Sequence, residues 1–345
     1  MSPRHNHARA AWRGIVVVGV AALVLGGCNS SVARTHVTGL PSIGISVPLH
    51  TVACTTTGSC LALGTTGTDT APSSVGEYRE NNGQWSSLVV PSAPSSVITS
   101  ASCWSTGCLI GGEQSSGSLL WGYNASSQSI NSLRAPAGGL GIRALSCFGA
   151  STCAAVLTTG FTSTSEMTFT NDGGATWSTP IAIAWSLGDT VSGLACTDPL
   201  NCMTSATTAS SSLVVEVTHD GGNTWDQRIT PSPWLSLSSI TCAKLHCVGL
   251  AQTATSTSLV RTSTFGRLWR TVPLGVQANA LACSTIAHCV IGGQQHTDSP
   301  WLATLDNFKV SVTVLKYVPS PVIDIACATK ICAGIGVSTV LALRP

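Results

Sequence analysis

Fourteen of the chain's fifteen cysteines fall into seven close pairs, and this spacing constrains the fold more than any other feature. The pairs are Cys54/Cys60, Cys103/Cys108, Cys147/Cys153, Cys196/Cys202, Cys242/Cys247, Cys283/Cys289 and Cys327/Cys332. Four or five residues separate the members of each pair, and the first members follow one another at intervals of 49, 44, 49, 46, 41 and 44 residues. A regular period of that length marks a repeat architecture. Within the period ending near residue 275, "LSSITC", "CVGLAQ", "SLVRTS" and "LWRTVPL" read as four short strands separated by Ser/Thr/Gly turns. Helical repeats of similar length need long stretches of 3.6-residue periodicity, and the chain has none.

Four short strands per repeat predict an all-β chain, a seven-bladed β-propeller of four-stranded antiparallel blades with one disulfide per blade. Two columns before the first cysteines fit such a ring. Val52, Ala101, Leu145, Leu194, Ile240, Leu281 and Ile325 form an apolar column, and Ala53, Ser102, Ser146, Ala195, Thr241, Ala282 and Ala326 a small one. Strands that converge on an axis need that taper. Each cysteine pair then brackets the turn between a blade's first and second strands, where a hairpin brings the two within disulfide reach. Metal ligation and redox chemistry are the alternatives. The spacing is not that of a zinc clamp, and histidine precedes the second cysteine in only two pairs, as His246 and His288. Pairs of thiolates at turns, expected to face solvent, make poor zinc sites. No metal and no cofactor are expected.

The fifteenth cysteine, Cys28, closes an N-terminal segment of distinct character. Arg4, Arg9 and Arg13 precede an apolar run from Gly14 to Leu25, the organisation of a signal peptide. The run ends in "LGGC", which resembles a bacterial lipobox. The resemblance implies that residues 1–27 are removed, that Cys28 carries lipid, that 28–34 form a tether and that 35–345 form the propeller. It further implies a protein exported and anchored to the outer face of the cell membrane, or to the outer membrane of a cell that has one. Removing three arginines takes the formal charge from +2 to −1. The basic balance therefore belongs to targeting, and a nucleic-acid partner is not expected.

Two octapeptides, "TNDGGATW" (170–177) and "THDGGNTW" (218–225), lie 48 residues apart. They resemble the Asp-box, or BNR repeat; "TSTFGRLW" (262–269) keeps the frame with Thr264 in place of the aspartate. In that reading Asp172 and Asp220 accept backbone hydrogen bonds in tight turns, Gly174 and Gly222 allow positive φ, and Trp177 and Trp225 fill the gap between sheets. Propellers of this kind include sialidases, sortilin-type receptors and photosystem II stability and assembly-factor-like proteins. The sialidase pattern needs an arginine triad and a tyrosine nucleophile. Its F-R-I-P signature is absent, and Arg261, Arg267 and Arg270 flank the degenerate box on the face opposite a sialidase active site. A sialidase-like glycoside hydrolase is thus the alternative reading.

The leading reading is a non-catalytic binding or assembly scaffold, monomeric, whose partner is an envelope protein or glycan. Its candidate binding face is the one away from the cysteine turns, where loops carry Arg143, Trp185, Asp189, Trp234, His296, Asp298, Tyr317 and Asp324. One further expectation concerns closure. The seventh repeat has residues for three strands only, so the segment around 36–42 is expected to supply its outer strand and remove an open edge.

Overall fold

The β-branched and hydroxyl-rich runs between the cysteines form strands throughout, 28 of them, and no helix occurs among the described residues. The computed structural model describes residues 37–38, 48–68, 71–79, 85–91, 93, 95–159, 164–183, 190–294, 299–307, 309–314, 320–329, 331–336 and 339–343. The chain divides into two bodies, Met1–Arg34 and Thr35–Pro345, and every described residue belongs to the second. Cys28 and the predicted signal segment lie outside the described residues, as do Trp185, Asp189, His296, Asp298 and Tyr317.

The strands pair antiparallel in sequence order, four to a repeat. In repeat five, Ser236–Ala243 pairs with His246–Gln252, that strand with Thr257–Thr262, and that with Arg270–Pro273. Five repeats form separate four-stranded sheets; repeats two and three share one eight-stranded sheet through a single pair, Gly141 with Glu113. Repeat seven takes Asp324–Cys327, Cys332–Gly336 and Thr339–Leu343 from the end of the chain and its fourth strand from the beginning. There Val37 pairs with Leu343, and Thr38 with Ala342.

Seven clusters of buried apolar side chains occur among the described residues, and each lies between two repeats rather than within one. Met203, Val215 and Val217 of repeat four meet Leu237, Val260 and Phe265 of repeat five. Leu49, Val52 and Trp85 of repeat one meet Ala333, Ile335 and Val340 of repeat seven. Both faces of every sheet are therefore covered by a neighbour, and the last repeat packs on the first. The apolar column before the cysteines contributes to these clusters: Val52, Leu145, Leu194, Ile240, Leu281 and Ile325 are all buried.

All seven disulfides are local and pair as the spacing predicts: Cys54–Cys60, Cys103–Cys108, Cys147–Cys153, Cys196–Cys202, Cys242–Cys247, Cys283–Cys289 and Cys327–Cys332. Each joins the end of a first strand to the start of the second, between directly opposed positions with Cα atoms 3.9–4.1 Å apart. The expectation that the pairs face solvent is corrected. The second cysteine of every pair is buried: Cys60, Cys108, Cys153, Cys202, Cys247, Cys289 and Cys332. Each belongs to a different one of the seven clusters between repeats. The reason is position in the sheet. The second strand has a strand on either side and a neighbouring repeat over each face, so its first residue is already inside. The first cysteine ends an inner strand at the edge of its sheet and is partly exposed in every pair but one, Cys196 being buried as well. The disulfide turns share one face of the molecule with the turns between third and fourth strands. The other two kinds of loop emerge on the opposite face.

Candidate functional site

Where the seven first strands converge they wall a channel of about 590 Å³. Its lining is divided between small or hydroxyl residues (Ser, Thr, Ala and Gly) and Val, Leu, Ile and Cys, with Arg143 and Asp324 the charged residues among them. Six first strands shift register near the channel mouth, between Leu49/Thr51, Ile98/Ser100, Ile142/Ala144, Val191/Gly193, Ser238/Thr241 and Ala278/Ala280. A bulge re-aims the extra residue. In three of the six, that residue bonds to the next repeat. The Thr99 hydroxyl donates to the Ile142 carbonyl, the Ser192 hydroxyl to the Leu237 carbonyl at 3.1 Å, and the Asn279 amide to the Val322 carbonyl at 3.3 Å. Arg143 stands at the same place in repeat three. It reaches back instead, to Glu113 of repeat two at 3.2 Å, with both side chains about 40% exposed (40% and 38%).

Deeper in the channel the small column acts as more than a taper. Ser102 accepts the Cys147 N–H and Ser146 the Cys196 N–H, both at 2.9 Å, so each links its repeat to the next. Ser100 accepts the Leu145 N–H at 3.0 Å. Asp324 holds the equivalent position in repeat seven, three residues before the first cysteine. Its Oδ2 accepts the Val52 N–H of repeat one at 2.8 Å, and its Oδ1 the Ile325 N–H at 2.9 Å. The side chain lines the channel and is partly exposed, with protein packed around most of its carboxyl group. Burial pushes its pKa up to about 6, against the lowering effect of the amides of Val52 and Ile325 and the Thr51 hydroxyl.

The octapeptide turns use their aspartates alike. Asp172 accepts the Thr176 N–H at 2.9 Å, the Thr176 hydroxyl at 2.5 Å and the Thr170 hydroxyl at 2.8 Å. Those bonds, the Thr176 hydroxyl first, hold its pKa down at about 2. Asp220 does the same with Thr224 and Thr218, and its pKa also lies at about 2, the Thr224 N–H contributing most. Gly174 and Gly222 are buried at φ +93° and +91°. A Cβ there would come within 2.9 Å of Leu109 and Met167 respectively, so the turn needs glycine twice over. Trp177 and Trp225 are half-buried at the edges of the clusters between repeats two and three and between repeats three and four.

The expected binding face is thereby corrected at two of its described positions. Trp234 is 8% exposed and packs edge-on to Trp269 at 5.5 Å inside the cluster between repeats four and five. Its indole is taken up in the packing between repeats and leaves little surface for a partner. Asp324 is a clasp between the two ends of the ring, satisfied by backbone amides. Arg143 remains at the mouth of the channel beside Glu113. The hydroxyls that join one repeat to the next went unread in the sequence, although Ser102 and Ser146 stood in the small column. Lining up the repeats on the cysteines shows the signal, a hydroxyl recurring one, three or four positions ahead.

No protein-family model matches the chain, and no curated protein matches it in sequence. Solved structures do. Among them is a structure of YCF48 bound to a D1 peptide, 13% identical with a TM-score of 0.60, covering 90% of this chain and 96% of that one. Virginiamycin B lyase from Staphylococcus aureus, solved with quinupristin, is 9% identical at a TM-score of 0.62, with coverage of 90% and 99%. The WD40 β-propeller domain of Doa1 is 10% identical at 0.57, with coverage of 88% and 94%. At such identities the likeness carries the fold and nothing finer. Together with the ordered four-stranded sheets, it shows that this chain folds as a β-propeller.

Proposed function

We propose that the chain is a seven-bladed propeller closed by its N-terminal strand, exported, anchored by lipid on Cys28, and acting as a monomeric, non-catalytic binding scaffold at the cell envelope. The observation that carries the scaffold reading is the use made of carboxylates. Asp172, Asp198, Asp220 and Asp324 are the described acids with displaced pKa values, and each holds backbone N–H groups of a turn or of the ring. Acid–base catalysis needs displaced groups aimed at a substrate. Here they are aimed at the chain itself, which favours a rigid platform.

Binding then falls to the loop face, where the bulge of repeat three presents Arg143 beside Glu113 at the channel mouth. A peptide segment of an envelope protein suits such a mouth, and the peptide-bound YCF48 structure supports a propeller in that role. The test is capture from native envelopes with the wild-type chain and an Arg143→Glu variant. A partner retained by the first and lost by the second supports the reading. Turnover of any fluorogenic glycoside in a panel would overturn it in favour of the hydrolase. Mass analysis of the mature N-terminus tests the anchor separately: an unmodified Cys28, or a first residue other than Cys28, removes that part.

A further inference from the structure

The third octapeptide turn keeps the backbone of the other two and replaces their surface chemistry. Gly266 N–H donates to the Thr262 hydroxyl at 3.0 Å, and Leu268 N–H to the Thr264 hydroxyl at 2.9 Å. These are the bonds that Gly174 and Thr176 make in repeat three, with a threonine oxygen standing in for the carboxylate. Three changes follow from the swap. A negative charge is gone at 264. Arg267 stands where the other turns have Ala175 and Asn223. Leu268 stands where they have Thr176 and Thr224, and it is 72% exposed.

The surroundings extend the pattern. The disulfide turn of the same repeat touches this one, with Phe265 N–H donating to the Leu245 carbonyl at 3.0 Å. That turn adds Lys244 and an exposed Leu245; Leu200 on the neighbouring disulfide turn is exposed as well. Arg261 and Arg270 are direct cross-strand partners, an arrangement in which like charges repel. Both line a cavity of about 500 Å³ together with Val248, Leu268 and Ile286. From residue 227 to residue 297 the chain has five Lys or Arg and no Asp or Glu. The nearby acids of the face belong to other repeats: Asp198 and Asp220 are bound up in their own turns, Asp226 lies 3.8 Å from Arg228, and Asp306 is paired with His288 at 2.9 Å.

Exposed leucines interleaved with cations, beside an apolar cavity, match a lipid interface better than an acidic protein. The path of the chain points the same way. Val37 pairs with Leu343, and Leu343 with Cys332, so the N-terminal strand enters at the disulfide face. Eight residues separate Cys28 from Val37, a reach of about 30 Å at most. We propose that the disulfide face of repeat five docks on an anionic lipid surface, with Leu245 and Leu268 in the headgroup layer and Lys244, Arg267 and Arg270 against lipid phosphates. Only the direction of the tether rests on the lipid-anchor reading.

The test uses the full chain carrying Cys28→Ser, so that no attached lipid contributes, and vesicles of phosphatidylcholine alone or mixed with phosphatidylglycerol. R267Q/R270Q and L268S are made in the same background. Both changes alter exposed side chains and leave the turn's backbone bonds in place. Every variant has the same N-terminus, so differences among them report the face. The parent should prefer the mixed vesicles. R267Q/R270Q should bind them about 30-fold less well, roughly fivefold per arginine, and L268S should bind them more weakly than the parent. Equal binding by parent and R267Q/R270Q overturns the proposal, and a cluster that serves an acidic protein gives that result. Detergent partitioning of the chain with Cys28 intact reports the anchor independently, so either reading can fail alone.

Discussion

Asp324 and the two turn aspartates titrate in opposite directions, and the sign of each follows from what surrounds it. Hydrogen bonds hold Asp172 and Asp220 at about 2, below the ordinary 3.8, so their stabilising effect is complete above that ordinary value and is lost as pH falls toward 2. Asp324 binds its proton more tightly folded than unfolded, with a pKa of about 6. Its contribution is complete below the ordinary value and is lost as pH rises through 6, about 3 kcal/mol in all. Urea unfolding should therefore show stability falling between pH 4 and pH 7, and Asp324→Asn should flatten that window while leaving the acid limb in place. Parallel profiles for parent and variant would count against the buried clasp. The identity of the turn aspartates was legible in the sequence because their partners lie within four residues. Asp324 was not, since its partner Val52 is 272 residues away. Trp234 was misplaced for a related reason: an aromatic in a Pro/Ser loop reads as exposed until the neighbouring sheet is known to cover it.

At the scale of strands and hairpins, the disulfide spacing carried most of the information. It gave the partners of each bridge but not their burial, because what covers Cys108 or Cys153 is the sheet of a neighbouring repeat. Each bridge closes a loop of five or six residues along the chain, worth about 2 kcal/mol in the chain-entropy model. C103A/C108A should lower unfolding free energy by at least that amount, since the Cys108 side chain also fills part of its cluster. The other six hairpins should keep their bridges, as peptide mapping without reductant would show. A bridge found between repeats would contradict the local pattern. The bulges were invisible in the sequence because a one-residue register shift leaves no compositional mark. One of their consequences is a close backbone approach in the second strand: a Cβ on Gly112 would lie 2.0 Å from the Val97 carbonyl, and on Gly293 2.0 Å from that of Gln277. Gly112→Ala should thus cost about 1–3 kcal/mol through displaced backbone. A neutral outcome in thermal unfolding would mean that the first strand relaxes freely at its bulge.

For the molecule as a whole, the ring is made of contacts between repeats, and its two ends meet in one sheet. Repeat seven was legible as short of a strand by simple count of residues, and the pairing of Val37 and Thr38 with the last strand supplies it. A chain beginning at Ser46 should lose roughly 2–3 kcal/mol and expose an unpaired edge along Thr339–Leu343. Denaturant unfolding and size-exclusion chromatography would register both effects, and unchanged stability with a monomeric profile would show the strand to be dispensable. The same seam sets an order in time. Synthesis runs from the N-terminus, so Val37 and Thr38 leave the ribosome about 300 residues before their partners exist. Bringing ends that far apart together costs about 5 kcal/mol of loop-closure entropy, unless the intervening repeats have already folded and shortened the gap. Each hairpin and its disulfide are local and need no distant partner, so the repeats can form an arc whose two open ends wait for the last strand to join them.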